Sequence, residues 1–147
     1  MVKVFVSSVI DAPAAEVWAV IRGFNDMPDW HPLIARSRIE GGHAQDRVGI
    51  VRDFYLTDGA HLREQLLSLS DFDYAFSYCI LEAGLPLYDY VAALRLVPVT
   101  DGNRTFAEWQ AEFRTDPGRE AEMAETVGQG VFQAGFDALK ARFGQAG

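Results

Sequence analysis

The amino-acid sequence predicts a single α+β domain, spanning residues 1–147, in which a curved antiparallel sheet of seven strands holds one long C-terminal helix. Two observations carry this prediction. From Ile34 onward, strand-like runs follow one another with only short turns between them, whereas parallel strands would need crossovers of a dozen residues or more. After Asp116-Pro117-Gly118 the apolar residues change to a spacing of three or four, which is typical of a helix.

The N-terminal segment predicts a strand, a helix and a loop. Residues 3–10 are rich in β-branched side chains, which favours a strand. A helix is expected over residues 13–22, with Asp11 as its N-cap and Pro13 in its first turn. Residues 23–32 are rich in Asn, Asp and Pro, so we expect a loop there, with room for one helical turn.

Six further strands are expected after this loop. Turn sequences such as Gly41-Gly42 and Asp58-Gly59 separate them, and their short spacing favours an antiparallel meander. The expected strands cover residues 34–40, 47–56, 61–70, 74–81, 88–97 and 105–115.

The C-terminal helix is expected to run for about 25 residues, a length of ~37 Å. Gly128, Gly130 and Gly135 lie in its middle, and each costs up to about 1 kcal/mol relative to alanine. Two explanations are open. The glycines can mark a kink or a close backbone approach, or they can reflect tight packing of the helix against a strand.

Composition and charge exclude several classes of protein. The chain has 13 Lys and Arg against 21 Asp and Glu, a net charge of −8, which argues against binding to nucleic acid or anionic membranes. A single cysteine, Cys79, excludes an internal disulfide and fits a reducing cytoplasm. The three histidines share no metal-ligand spacing, and no apolar run approaches the roughly 20 residues that span a bilayer. We therefore expect a cytoplasmic protein without a metal and without membrane insertion.

Several sequence strings resemble a known family. In chain order they are Asp11-Ala12-Pro13 with Val17-Trp18, Trp30-His31-Pro32, residues 49–54, residues 63–70 and Tyr88-Asp89-Tyr90. They are similar to those of the START-like helix-grip (SRPBCC) superfamily, in its polyketide cyclase/dehydrase branch. The resemblance covers nearly the whole chain and implies an apolar cavity, between sheet and helix, for a small hydrophobic ligand. Enzymes, hormone receptors and lipid-transfer domains share this fold, so the fold alone does not select a function.

A local resemblance to lachrymatory factor synthases, within the same superfamily, implies three catalytic residues: Arg52, Glu64 and Tyr90. The strands over 47–56 and 61–70 form a predicted hairpin, across which Arg52 and Glu64 can face each other. In a dry pocket Glu64 can act as a general base. Arg52 and the Tyr90 hydroxyl can then stabilise a developing oxyanion.

An alternative is that Arg52 and Glu64 form an exposed cross-strand ion pair worth under about 1 kcal/mol. Hormone receptors of the superfamily keep the same pair, so the pair by itself does not establish catalysis. By strand alternation, Leu67 and Leu69 point to the opposite face of the sheet from Glu64. A bulge near Leu66, or a partly covered outer face, is needed to explain them.

Aromatic residues at inward positions are expected to line the cavity, although core packing explains such residues as well. Phe76 and Tyr78 share one face of a strand, and Trp109 alternates inward on another. His31 can titrate near neutral pH at the cavity mouth, or it can pack and hydrogen-bond within its loop. The expected ligand-binding residues are Trp30, His31, Phe54, Phe76, Tyr78, Trp109, Phe132 and Phe136.

The sequence thus predicts a cofactor-independent polyketide cyclase/dehydratase or isomerase-like enzyme that works by proton transfer on a small hydrophobic or aromatic ligand. The alternative is a non-catalytic carrier or sensor of a lipid-like molecule. The loops at residues 57–60 and 84–87 match places where relatives close over ligand. Leu85 and Leu87 can instead mark a partner surface, so a monomer and a homodimer both stay open.

Overall fold

A computed structural model describes residues 1–144, and within them seven strands form one antiparallel sheet. The strands are β1 (Val2–Ile10), β2 (Ile34–Ile39), β3 (Val51–Leu56), β4 (His61–Ser70), β5 (Ala75–Ala83), β6 (Tyr88–Val99) and β7 (Arg104–Arg114). Their order across the sheet is β1-β7-β6-β5-β4-β3-β2. Strands β2 to β7 are therefore a meander in which each strand pairs with the next, and β1 pairs with β7. This architecture confirms the predicted fold class.

Two short helices and one long helix complete the fold. Helix α1 (Ala14–Ile21) and the single turn α2 (Met27–Trp30) connect β1 to β2, and a 3-10 turn (Glu40–Gly42) follows β2. The C-terminal helix begins as α3 (Glu120–Glu125), passes through a π-helical segment (Thr126–Gln133) and ends as α4 (Ala134–Arg142). The one helical turn expected within residues 23–32 is present as α2.

Two local predictions are wrong at their boundaries. Pro13 is the N-cap residue of α1, so the helix starts too late for Asp11 to cap it. The strand expected from residue 47 begins only at Val51, because Gly49 has a φ of +97° and turns the chain. The expected bulge is present: the register of β4 against β5 shifts between Leu66 and Ser68.

The inner face of the sheet packs against the C-terminal helix through stacked aromatic rings. Trp109 of β7 is fully buried, and its ring stacks on Phe132 with centroids 4.5 Å apart and an angle of 13° between planes. Phe136, one turn further along the helix, packs against the same indole at 5.9 Å. The C-terminal half of the helix is therefore fixed to the sheet by direct contact, without space between the two layers.

The glycines of the C-terminal helix show both of the features that the sequence left open. The helix departs from α geometry in the π-helical segment that contains Gly128 and Gly130. Tight packing is also present, because a Cβ at Gly128 would meet Val4 Cγ1 at 3.2 Å. A Cβ at Gly135 would meet both Trp109 Cζ3 and His31 Cδ2 at 3.0 Å, whereas one at Gly130 would meet nothing within 4 Å.

Gly135→Ala is expected to lower the free energy of unfolding by about 1–3 kcal/mol, because the new methyl group forces Trp109 or His31 aside. Gly130→Ala is the matched control in the same helix, and it is expected to be neutral or to gain up to about 1 kcal/mol from helix propensity. Urea unfolding of both variants measures the difference. Equal stability of the two variants would contradict the packing argument.

Candidate functional site

A buried ion pair joins the middle of β3 to the middle of β4. Arg52 and Glu64 are directly opposite in the register, and only 2% and 5% of their surfaces are exposed. Arg52 donates to Glu64 Oε1 from Nε at 2.9 Å and from Nη2 at 2.6 Å. The alternative of an exposed surface pair is therefore wrong. Both side chains lie on the inner face of the sheet, as the strand alternation predicts.

Aromatic rings and one backbone carbonyl enclose the guanidinium group of Arg52. Its Nη1 donates to the carbonyl oxygen of Phe24 at 2.9 Å. Its Cζ lies 3.9 Å from the ring centroid of Phe24, 5.0 Å from that of Tyr78 and 5.4 Å from that of Phe54. These contacts replace part of the hydration that the cation loses on burial.

A cavity of about 50 Å³ lies beside this pair, between β3 to β6 and the π-helical segment, and its walls are largely apolar. Glu64 is on its wall, whereas Arg52 lies behind Glu64 and does not line it. The remaining lining residues are Met27, His31, Leu33, Ile34, Phe54, Leu56, Leu62, Tyr78, Ile80, Leu85, Leu87, Tyr90, Thr126, Val127 and Val131. The site is thus a small apolar space with one carboxyl group on its wall.

The Glu64 carboxyl group has one oxygen engaged and one open. Both hydrogen bonds from Arg52 end on Oε1, and no other donor among residues 1–144 bonds to Oε2. Burial raises the pKa of Glu64 above its ordinary value, and the charge and hydrogen bonds of Arg52 oppose this rise. A carboxyl group in this environment can accept or give up a proton nearer to neutral pH than an exposed one.

Two tyrosines, Tyr78 and Tyr90, line the same cavity. Trp109 Nε1 donates to the Tyr78 hydroxyl oxygen at 3.0 Å, and the Tyr78 and Tyr90 rings are 6.4 Å apart. Burial raises the pKa of both phenols above the ordinary value, so both are neutral hydrogen-bond donors in the physiological range. Because Trp109 can only donate, the bond it makes does not use the Tyr78 proton, and the two tyrosine hydroxyls also hydrogen-bond to each other.

His31 ties the end of α2 to the C-terminal helix. Its Nδ1 accepts from the backbone N–H of Leu33 at 3.2 Å, so the ring proton lies on Nε2, which donates to the Val131 carbonyl oxygen at 2.7 Å. Only 1% of His31 is exposed, and burial lowers its pKa. The cavity wall therefore contains a histidine that packs and hydrogen-bonds as a neutral ring.

The structure separates the predicted ligand-binding residues into two groups. His31, Phe54 and Tyr78 line the cavity, together with the predicted catalytic residues Glu64 and Tyr90. The others are packed in the core outside the cavity wall. Trp30, Phe132 and Phe136 each contact the Trp109 ring, and Phe76 packs on Trp18 and Phe24.

Sequence reasoning missed several residues of the site. Val127 and Val131 line the cavity from the helix, and their spacing of four residues is a signal that could have found them. Leu62 shares the inward face of Glu64, as expected from alternation. Phe24 has no comparable signal, since it contributes a backbone carbonyl from a loop.

Two further features bear on cofactors and membranes. Within the described residues, no three His, Cys, Asp or Glu side chains lie together in a way that could hold a metal ion. No helix in residues 1–144 is both long enough and apolar enough to cross a bilayer.

Comparison with known proteins gives a consistent assignment. Residues 1–144 match the family described as polyketide cyclase / dehydrase and lipid transport. XoxI from Bacillus cereus is 28% identical, with a TM-score of 0.86 over 97% of this chain and 96% of that chain. A Nitrosospira multiformis protein is 30% identical, with a TM-score of 0.81 over 98% and 97% of the two chains.

A START superfamily protein from Mycobacterium smegmatis covers both chains completely with a TM-score of 0.80, but at 12% identity it shows likeness of fold alone. No protein of curated function matches the chain. The local resemblance to lachrymatory factor synthases is not tested by these comparisons and stays a prediction.

Breaking the ion pair is expected to cost more than removing it. Arg52→Met leaves the Glu64 carboxyl group buried without a partner and should lower the free energy of unfolding by about 3–5 kcal/mol. The double variant Arg52→Met with Glu64→Gln removes the charge and should regain part of this loss. Chemical unfolding of the two single variants and the double variant measures the coupling energy. Strictly additive losses would contradict a direct pair.

His31 should make the protein less stable in mild acid. The folded pKa is lowered from 6.5, so below about pH 6.5 the unfolded chain takes up a proton that the folded chain does not. The contribution of the neutral His31 ring to the free energy of unfolding is therefore fully present above pH 6.5. It is lost as the pH falls, by up to about 1.4 kcal/mol per pH unit.

Unfolding of wild type and His31→Gln between pH 7 and pH 5 tests this effect. In the variant, the free energy of unfolding should change less steeply with pH. His43→Gln, on an exposed turn, controls for the loss of a histidine. Glu64, whose folded pKa is raised, contributes a slope of opposite sign that wild type and variant share. A slope unchanged by His31→Gln would refute the assignment of a neutral buried ring.

Proposed function

Because the chain belongs to the polyketide cyclase/dehydrase and lipid transport family, we propose that it binds a small uncharged organic molecule beside Glu64 and catalyses proton transfer on it without a cofactor. The reaction class is enolisation of a carbonyl compound, leading to cyclisation, dehydration or isomerisation. The coarser property, a helix-grip protein of a ligand-binding family, follows from the family and the fold.

One observation carries the catalytic part of the proposal. The Glu64 carboxyl group lies on the wall of an apolar cavity, with both Arg52 hydrogen bonds on Oε1 and with Oε2 open. Burying an ion pair gives little net stability, so its position at a cavity needs a reason other than folding. A carboxylate with one oxygen fixed and one oxygen free is suited to take a proton from a bound molecule.

The proposed step needs only the ligand and Glu64 as reactants. Oε2 takes a proton from the carbon next to a carbonyl group, the C–H bond breaks, and its electron pair moves to the carbonyl oxygen as an enolate. The neutral hydroxyls of Tyr90 and Tyr78 donate hydrogen bonds to that oxygen. Glu64 then returns the proton to another carbon, or to a β-hydroxyl group that leaves as water.

In this proposal Arg52 acts as a positioning residue. Its Nε, Nη1 and Nη2 are all engaged with Glu64 and Phe24, and its faces are covered by aromatic rings. It therefore orients the carboxyl group and keeps part of its population ionised despite burial. The oxyanion contacts fall to the tyrosines, which line the cavity.

A carrier without turnover is the second candidate, and the composition of the cavity wall favours it. Apart from Glu64, the wall offers a ligand mainly aliphatic and aromatic surface. Of the two predicted lid loops, residues 84–87 contribute Leu85 and Leu87 to the cavity, whereas residues 57–60 contribute nothing to it. Because both leucines face the cavity, a lid suits this loop better than a partner surface.

Glu64→Gln is expected to abolish proton transfer while keeping the shape of the site. With 2-tetralone, an uncharged ketone with acidic α-protons, exchange of those protons in D2O should slow by about 10²–10⁴-fold in the variant. Glu16→Gln, on the exposed face of α1, is the control and should leave the rate unchanged.

The pH profile gives an independent check. Since the base must be ionised, wild-type exchange should fall as the pH drops through the raised pKa of Glu64. Exchange unaffected by Glu64→Gln would exclude Glu64 as the base. If wild type binds the ketone without any enhanced exchange, the carrier function replaces the enzymatic one.

A further inference from the structure

The inner cavity is too small to hold an organic ligand by itself. Its volume of about 50 Å³ is well below the ~150 Å³ of a cavity that holds benzene. A much larger space opens between the end of β5 and the start of β6: a cleft of about 610 Å³. This volume lies within the usual range of ligand pockets, about 300–1,000 Å³.

The cleft exists because β5 and β6 separate. Their pairing ends at Cys79 and Val91, although β5 continues to Ala83 and β6 begins at Tyr88. Beyond Cys79, β5 pairs only with β4, and the first residues of β6 pair only with β7. Asp89, with a φ of +52°, lies where the register of β6 against β7 shifts. The sheet is therefore open between these two strands.

Ion pairs hold each side of the cleft to the strand behind it. On the β5 side, Glu82 accepts from Arg63 of β4 at 2.9 Å. On the β6 side, Asp89 accepts from Arg114 of β7 at 2.6 Å. Each strand end is thus tied to its outer neighbour, whereas no backbone pairing joins the two ends to each other.

The cleft and the inner cavity share their wall. Ile80, Leu85, Leu87 and Tyr90 line both spaces. No strand pairing crosses the sheet at this level, so rotation of these side chains can join the two spaces without breaking a backbone ladder. Such a change is far smaller than opening the stacked interface between Trp109 and Phe132.

We propose that the binding site continues through the split between β5 and β6, so that an elongated, uncharged ligand places its carbonyl end beside Glu64 and its apolar body in the cleft. This inference rests on the proposed function, because it extends the same cavity. The cleft walls combine polar groups with the apolar side chains of Cys79, Leu81, Ala83 and Val91, and these side chains suit an apolar body. Neither space is lined by a lysine or an arginine, which disfavours an anionic ligand.

Cys79, the single cysteine of the sequence, is a natural reporter because it lines the cleft and not the inner cavity. The probe is N-phenyl-1-naphthylamine, an uncharged fluorophore, and the thiol reagent is benzyl methanethiosulfonate at mildly alkaline pH, since burial raises the pKa of the thiol. With about nine-tenths of the protein occupied, the modification rate of Cys79 should fall about tenfold. The finished adduct should in turn weaken probe binding at least about tenfold.

The control places the thiol elsewhere on the same outer face. In the double variant Ser68→Cys with Cys79→Ser, the new thiol lies on β4 at an exposed position that does not line the cleft. Its modification should be insensitive to the probe, and its adduct should leave probe affinity within about twofold of the unmodified protein.

Two negative results are distinguishable. If the probe binds saturably and Glu64→Gln changes its affinity, but Cys79 reacts at the same rate with and without probe, the extension through the sheet is refuted. The ligand then makes its space beside Glu64 by displacing side chains of the inner cavity. If wild type shows no saturable binding of the probe, the proposed ligand binding fails, and the extension fails with it.

Discussion

The buried contact between Arg52 and Glu64 is the constraint on which the site depends. Two charges on the inner face of a sheet must recover the hydration they lose, and the surroundings supply this recovery. The Phe24 carbonyl takes a third guanidinium donor, and aromatic rings cover the cation. The pair therefore fits the register that the hairpin gives β3 against β4, and it also holds the loop between α1 and α2, whose Phe24 carbonyl oxygen accepts from Arg52.

The C-terminal helix does two different things along its length. Its last part stacks directly on the sheet through Phe132 and Phe136, leaving no space. The part of its π-helical segment before Phe132 faces the cavity, and there His31 bonds to the Val131 carbonyl oxygen. A π-helical turn weakens the regular hydrogen-bond pattern of a helix, and such turns are common at functional sites. Side chains of this segment and of the loop at residues 84–87 fill the cavity. A ligand therefore makes space by displacing side chains, without separating the C-terminal helix from the sheet.

The fold and the ion pair could be predicted because both follow from local periodicity. Strand alternation and a short hairpin determine that Arg52 meets Glu64, whatever surrounds them. Alternation also places Trp109 on the inner face, but it does not say whether an inward residue meets a cavity or a helix. Trp109 meets Phe132, so inward position alone gave too large a set of lining residues. The contact from Phe24 involves a backbone carbonyl, which leaves no trace in the side-chain pattern.

The split between β5 and β6 escapes sequence analysis for a related reason. Tyr78, Ile80 and Tyr90 keep the inward parity of ordinary strands, since each strand still pairs on its other side with β4 or β7. What changes is the pairing between two neighbours, while ion pairs join each of them to the strand behind it. The same arrangement explains how a ligand can pass from solvent into a closed, well-packed core. The polar pair fixes the inner end of the site, whereas access depends on a gap in the sheet, where apolar side chains rather than a backbone ladder separate the cavity from solvent.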